Sequence, residues 1–164
     1  MYSKTKKAII LAILIIIPTA SFAKTKQPLN VESEKICLAK AIYHEAKGEP
    51  DIGKKGVAKV VFNRKQHDKF PKTICGVINQ VDYDDGKKLC QFSWVCSKPK
   101  RYDSDSWKQS LELSDDILNK RVSLPNFNPN VLFFKSVKSR VGFGRGYKLE
   151  ARLGKSNFYS KKSV

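Results

Sequence analysis

"CLAKAIYHEAKGEPDIGKKGVAKVVFNR", residues 37–64, carries two apolar patterns of helical period on either side of a Gly-Glu-Pro break. At 100° per residue, Ile36, Leu38, Ala39, Ala41, Ile42, Tyr43 and Ala46 cover one arc, while Lys40, His44 and Lys47 fall opposite. This predicts a helix over 33–47 with Ser33 as N-cap and Gly48 as its C-terminal stop. A second helix follows over about residues 51–64, with Val57, Val60 and Val61 on its buried stripe. So short a connection predicts a helical hairpin. Glu45 stands inside the apolar arc, seven residues after Leu38 and four after Ala41. An acid there must meet a cation or have its pKa raised by desolvation.

Downstream, residues 71–80 read as a short helix, "DYDDGKK" at 82–88 as a surface loop, and residues 105–120 as a helix through Trp107, Leu111, Ser114 and Leu118. After Pro125 the pattern changes. "VLFF" at 131–134, "YKLEARL" at 147–153 and "NFY" at 157–159 are strand candidates between glycine-rich turns. The expected fold class is α+β, mainly helical, a single domain with a small β-sheet near the C-terminus.

The start of the chain sets the expected compartment. Lys4, Lys6 and Lys7 precede an apolar run from Ala8 to Ile17, and Ser21-Phe22-Ala23 supplies small residues for a cleavage site. Residues 1–23 therefore read as a signal peptide, residues 24–32 as a short unstructured lead, and 33–164 as the functional domain. The apolar run is shorter than the roughly 17–25 residues of a spanning helix, so no stable membrane anchor is expected after cleavage. The protein is expected to be exported, periplasmic or extracellular.

Of 32 basic residues, three lie in 1–23, which contains no acids; the remainder carries 29 basic against 15 acidic side chains, a net +14. Lysines spread along the chain predict a cationic surface attracted to polyanions. Export argues against nucleic acid as that partner and toward the carboxylates of cell-wall peptides, wall polymers and lipid headgroups. Cys37, Cys75, Cys90 and Cys96 all fall in the exported part, an even number in an oxidising space, which favours two disulfides of any of three connectivities. Their spacing lacks a Cys-x-x-Cys pair, and His44 and His67 are the only histidines, which disfavours zinc. A His-Glu-x-x-His metal helix is excluded because Gly48 occupies the fifth position. No motif calls for a metal or cofactor.

The stretch 37–80, "CLAKAIYHEAKGEPDIGKKGVAKVVFNRKQHDKFPKTICGVINQ", resembles the SleB-type cell-wall hydrolases, which include spore-cortex-lytic enzymes. "CQFSWVC" at 90–96 is similar to a second block of that family, and "GKSNFYS" at 154–160 to its final element. The resemblance implies a lysozyme-like domain acting on peptidoglycan, with Glu45 as catalytic acid. It also implies that Gln91, Phe92, Ser93 and Tyr159 lie near the glycan groove. The sequence departs from the family where Asn157 replaces a usual histidine, and at "LFFKS", 132–136.

Cleavage of a β-1,4 link between amino sugars needs one acid to protonate the leaving oxygen, and an apolar setting keeps that acid protonated near neutral pH. A hydrolase adds a second carboxylate, for which Glu49, Asp82, Asp84 and Asp85 are the candidates. A lytic transglycosylase needs none, because the 6-hydroxyl of muramic acid attacks and the same glutamate serves as base. Glu49 follows a glycine and also reads as a turn residue, so the transglycosylase is the favoured expectation and a muramidase-type hydrolase the alternative. Trp94, between Cys90 and Cys96, reads as packing or as a ring presented to a sugar face; Tyr43 reads as core, and Asn63 as bonded locally. A non-catalytic wall-binding protein or inhibitor on the same scaffold needs only the basic surface and the groove. A membrane-active cationic protein would show a long basic amphipathic helix, which is not evident.

Overall fold

Asn30, not Ser33, starts the first helix: its side-chain oxygen accepts from the backbone N–H of Glu32 and Ser33. Asn30 lies one residue before the first helical turn, whereas Ser33 is already inside it and bonds back to the Asn30 carbonyl. The computed structural model describes residues 30–98, 101–140 and 143–162. The expected signal peptide lies outside them, and the helix takes up the last two residues of the expected lead.

In chain order the elements are α1 (Val31–Ala46), α2 (Asp51–Gln66), α3 (Ile74–Ile78), β1 (Val81–Asp84) and β2 (Lys87–Cys90). A single 3-10 turn, Ser93–Cys96, follows, then α4 (Ser104–Leu118), β3 (Val131–Ser136), β4 (Tyr147–Leu153) and β5 (Ser156–Lys161). The molecule is thus α+β and mainly helical, with its three-stranded sheet at the C-terminal end. That sheet is antiparallel in the order β3-β5-β4.

The helical hairpin forms as expected. Lys47 at φ −57°, ψ 125° and Gly48 at φ +79° make a type II turn, closed by the Glu49 N–H on the Ala46 carbonyl at 2.9 Å. The positive φ at the third turn position is what glycine tolerates and other residues resist. Leu38, Ala41 and Ile42 of α1 and Ala58 and Val61 of α2 enter one core with Ile74, Val77, Ile78, Phe92 and Ile117. Burying such side chains contributes roughly 1.5–3 kcal/mol each relative to exposure.

Two long-range clasps hold α3 and the sheet onto this core. Buried Glu34 of α1 accepts from the Ile74 and Cys75 N–H at 2.8 and 3.1 Å, supplying acceptors to the orphan donors at the start of α3. The Cys37–Cys75 disulfide lies beside it. Val60 meets Val131 and Phe158 in a second cluster, and Gly56 lets the Phe158 ring lie against α2: a Cβ there would come within 2.5 Å of it. Asn63, expected to bond locally, instead donates to the carbonyls of Asn128 and Val131 at 3.2 and 3.0 Å, tying α2 to the start of β3.

Residues 82–88 are not a loop but most of a β-hairpin, with Asp82 opposite Leu89 and Asp84 opposite Lys87. Asp85 and Gly86 both have positive φ, 46° and 74°, the turn that matches the twist of paired strands. The Asp-Gly dipeptide was its signal, masked by the charge around it. The short helix expected over 71–80 contracts to five residues, capped by the Thr73 side chain on the Gly76 N–H.

Candidate functional site

Glu45 lies in the last turn of α1, half-buried, and its Oε1 accepts from the Trp94 indole N–H at 2.9 Å. Trp94 sits on the 3-10 turn, which the Cys90–Cys96 disulfide closes on itself. The four cysteines therefore pair as Cys37–Cys75 and Cys90–Cys96. The Trp94 ring also stacks on His44, with centroids 4.4 Å apart and planes 17° from parallel. His44 in turn meets the Tyr102 hydroxyl at 3.4 Å. Trp94 is partly packed on the core, as the packing reading has it, and also lines a cavity.

Arg64 supplies a cationic influence on Glu45. It is buried, donates through Nε to the Leu132 carbonyl at 2.9 Å, and lies over the rings of Phe70 and Phe92 at 5.5 and 5.3 Å. Burial pushes its pKa down to about 10, so it stays charged at neutral pH. Burial raises the Glu45 pKa above the ordinary glutamate value, while the Trp94 hydrogen bond and the Arg64 charge oppose that rise. The result is a carboxyl held protonated to higher pH than a solvated one, with Oε2 left to carry the proton because Oε1 faces the indole.

Three cavities meet at this carboxyl. One of about 540 Å³ is lined by Glu45 with His44, Trp94, Tyr102, Lys40 and Lys98, among others. A second, of about 310 Å³, runs over Arg64, Gln91, Phe92, Ser93, Phe133 and Phe143. The third, of about 500 Å³, passes Lys47, Glu49, Lys135, Lys138 and Lys155. The first two share Glu45 and Ser93, the last two Glu45 and Phe134, so they are limbs of one groove with Glu45 at its junction.

Of the residues singled out in the sequence, Gln91 and Ser93 line this groove beside Glu45. Phe92 borders it too, but is only 3% exposed and packs mainly into the core. Tyr159 stands opposite Phe133 on β5, its ring 5.0 Å from that of Phe143, one residue layer behind the groove wall. Asn157 lies on the same strand between Lys135 and Arg152, with its Oδ1 buried and lacking a hydrogen-bond partner.

Glu49 has another occupation. Its carboxylate accepts from the Lys155 N–H at 2.5 Å and from the Ser156 hydroxyl at 3.0 Å, pinning the β4–β5 turn to the helical hairpin. Asp82, Asp84 and Asp85 are exposed on the β1–β2 hairpin and line none of the three limbs. Among the described residues no group of three His, Cys, Asp or Glu side chains gathers to hold a metal. The sequence reading missed His44, Arg64 and Tyr102. His44 was placed opposite the apolar arc, which is correct, but that side of α1 faces Trp94 rather than bulk water. Arg64 ends the helical stripe like any surface cation, and only the tertiary contacts with Leu132 of β3 and the rings of Phe70 and Phe92 bury it.

A mainly helical α+β scaffold with one desolvated glutamate at the junction of a groove defines the class of this molecule. Residues 48–159 match the Cell Wall Hydrolase family, and the chain belongs to that family, in its SleB-type branch. The match begins just after Glu45. The chain is also 46% identical over 41 residues to the spore cortex-lytic enzyme of Bacillus cereus, covering 25% of this chain and 16% of that protein. Against the spore cortex-lytic enzyme of Halalkalibacterium halodurans it is 46% identical over 41 residues, 25% of this chain and 12% of the relative. The shared segment is thus a small part of either relative's length. No solved structure matches the chain significantly.

Proposed function

We propose that the protein is exported and cleaves peptidoglycan glycan strands between amino sugars as a lytic transglycosylase, with Glu45 as acid and then base. The observation that carries this reading is the carboxylate inventory of the groove. Glu45 and Glu49 are the acids that line its limbs, and Glu49 is committed to Lys155 and Ser156. A mechanism that needs one carboxyl suits such a groove better than one that needs two.

In this reading a glycan strand lies across the junction with its scissile oxygen at Glu45. The protonated carboxyl donates its proton to the leaving 4-oxygen as the C1–O bond breaks, and positive charge builds on C1 and the ring oxygen. The carboxylate so formed, stabilised by the Trp94 N–H, takes the proton of the 6-hydroxyl on the same sugar, whose oxygen closes on C1. The products are a free 4-hydroxyl end and a 1,6-anhydro end; no water is consumed and Glu45 regains its proton. Gln91 and Ser93 supply short polar groups for N-acetyl substituents, Phe92 braces them from the core, and Tyr159 backs the Phe143 side of the groove. His44, Trp94 and Tyr102 offer ring faces to a sugar.

Mass spectrometry of fragments released from purified walls tests both halves of the proposal. Anhydro-ended muropeptides, one water lighter than hydrolysis products, are expected. Reducing-end products alone would make the enzyme a muramidase-type hydrolase, and absence of any glycan cleavage would leave a wall-binding protein on this scaffold.

A further inference from the structure

The limb of the groove that runs past Glu49 holds more lysines than either of the other two. Lys47, Lys135, Lys138 and Lys155 all line it, against Glu49 as the other acid beside Glu45. Glu49 is turned to the Lys155 backbone and to Ser156. Lys155 donates through Nζ to the Gly48 carbonyl at 2.8 Å, which holds its ammonium at the α1–α2 turn. Lys47 is held by Asp103 at 2.8 Å and by the Tyr43 hydroxyl at 3.4 Å. Lys135 is steadied over the rings of Phe143 and Tyr159, 5.5 Å from each centroid. Three of the four ammonium groups are thus positioned, and an ammonium has three donors to offer. The limb at Trp94 carries two lysines, Lys40 and Lys98, beside the rings of His44, Trp94 and Tyr102. A concave wall with an excess of one sign of charge concentrates counter-charged ligands.

We propose that this lysine-lined limb is a carboxylate subsite, which selects glycan strands whose muramic residues carry carboxylates next to the bond at Glu45. The inference rests on the glycan-cleaving reading above and names the substrate class within it. Two wall groups share the required chemistry: the carboxylates of the stem peptides, and the lactyl carboxylate exposed where a peptide has been removed. A strand placed with its scissile bond at Glu45 sets its neighbouring sugar in this limb, so these groups meet the lysines without extending past the groove.

The test is equilibrium binding by Glu45→Gln protein, which removes turnover, to soluble glycan strands in four forms. These are peptide-bearing strands, the same strands with carboxyls converted to amides, strands stripped of peptides, and N-acetylglucosamine oligomers. Peptide-bearing strands should bind tighter than amidated ones, and Lys135→Gln/Lys138→Gln protein should lose about three- to tenfold of that affinity. Its binding to the uncharged oligomers should be unchanged. Lys138→Glu, at an exposed turn position, should act in the same direction and guards against a folding defect at β3. Stripped strands that bind like peptide-bearing ones show that the limb takes either carboxylate, and stripped strands that bind like amidated ones assign the stem peptide. Equal affinity for intact and amidated strands, a preference that survives both lysine variants, or no binding to any strand would overturn the subsite. Wild-type protein that cleaves amidated strands as fast as intact ones would remove the subsite and keep the catalytic reading; carboxylate-dependent binding by a protein that cleaves nothing would do the reverse.

Discussion

The Trp94 indole donates its N–H to Glu45 across 2.9 Å and 49 residues of chain, so the environment of the acid is set by a residue from another element. Burial pushes that carboxyl toward its neutral form and the indole pulls it back. An acid that must first give a proton and then take one back is served by opposing influences of this kind.

Glu45→Gln retains an oxygen for the Trp94 N–H but has no proton to give. Wall cleavage should fall by roughly 10²–10⁴, while circular dichroism and wall binding remain as in wild type. Near-normal activity would remove Glu45 from the mechanism.

The same substitution should change stability with pH. Because the folded-state pKa of Glu45 is raised, the native protein holds the proton more tightly than the unfolded chain. Wild-type stability from this group is therefore fully present below the unfolded glutamate pKa of about 4.3 and is lost as pH rises through the folded value. Glu45→Gln should melt higher than wild type at pH 7, with the gap closing as pH is lowered below about 4. A gap that widens in acid would contradict the desolvated carboxyl.

Trp94→Phe keeps an aromatic ring against His44 and removes the donor. With the opposing hydrogen bond gone, the Glu45 pKa should rise further, and the alkaline limb of the pH profile of kcat/KM should move to higher pH. A limb that stays in place or moves down would show that the indole does not tune the acid.

Glu49→Ala takes away the acceptor for the Lys155 N–H and the Ser156 hydroxyl. Hydrogen bonds to a charged group contribute roughly 1.5–3 kcal/mol, and the half-buried position of Glu49 places the expected loss at about 1–3 kcal/mol in denaturant unfolding. Residual activity of the folded protein should stay within about tenfold of wild type, well above that of Glu45→Gln. An activity loss as deep as that of Glu45→Gln would restore Glu49 as a second catalytic acid.

The two disulfides should separate stability from function. Cys37–Cys75 closes a span of 38 residues and Cys90–Cys96 one of 6. Loop-closure entropy then assigns roughly 4 kcal/mol to the first and roughly 2 kcal/mol to the second. Cys37→Ser/Cys75→Ser should lower the melting temperature more, and Cys90→Ser/Cys96→Ser should lower activity more, because the short bridge holds the turn that carries Trp94. The reverse ranking in activity would detach that turn from the site.

Periodicity along one helix is local information, and it was sufficient to place Glu45 on the packed side of α1, Val57, Val60 and Val61 in the core, and Gly48 at the turn. The strand candidates at 131–134, 147–153 and 157–159 were legible as short segments between glycine-rich turns, and they lie within β3, β4 and β5. The β1–β2 hairpin was misread although its Asp-Gly turn was in view, because four acidic and basic neighbours resemble a solvated loop.

Only tertiary structure decided what surrounds the acid. Trp94 reaches Glu45 across 49 residues, Ser156 reaches Glu49 across 107, and Val131 reaches Asn63 across 68. No spacing rule connects such positions, since their meeting depends on how α1, α2 and the sheet pack together. The sequence by itself therefore determined a helical hairpin with a carboxyl on the packed side of its first helix, near the turn. Packing decided that an indole would face that carboxyl, that Glu49 would be spent on holding a turn, and that four lysines from three separate segments would line one limb of the groove.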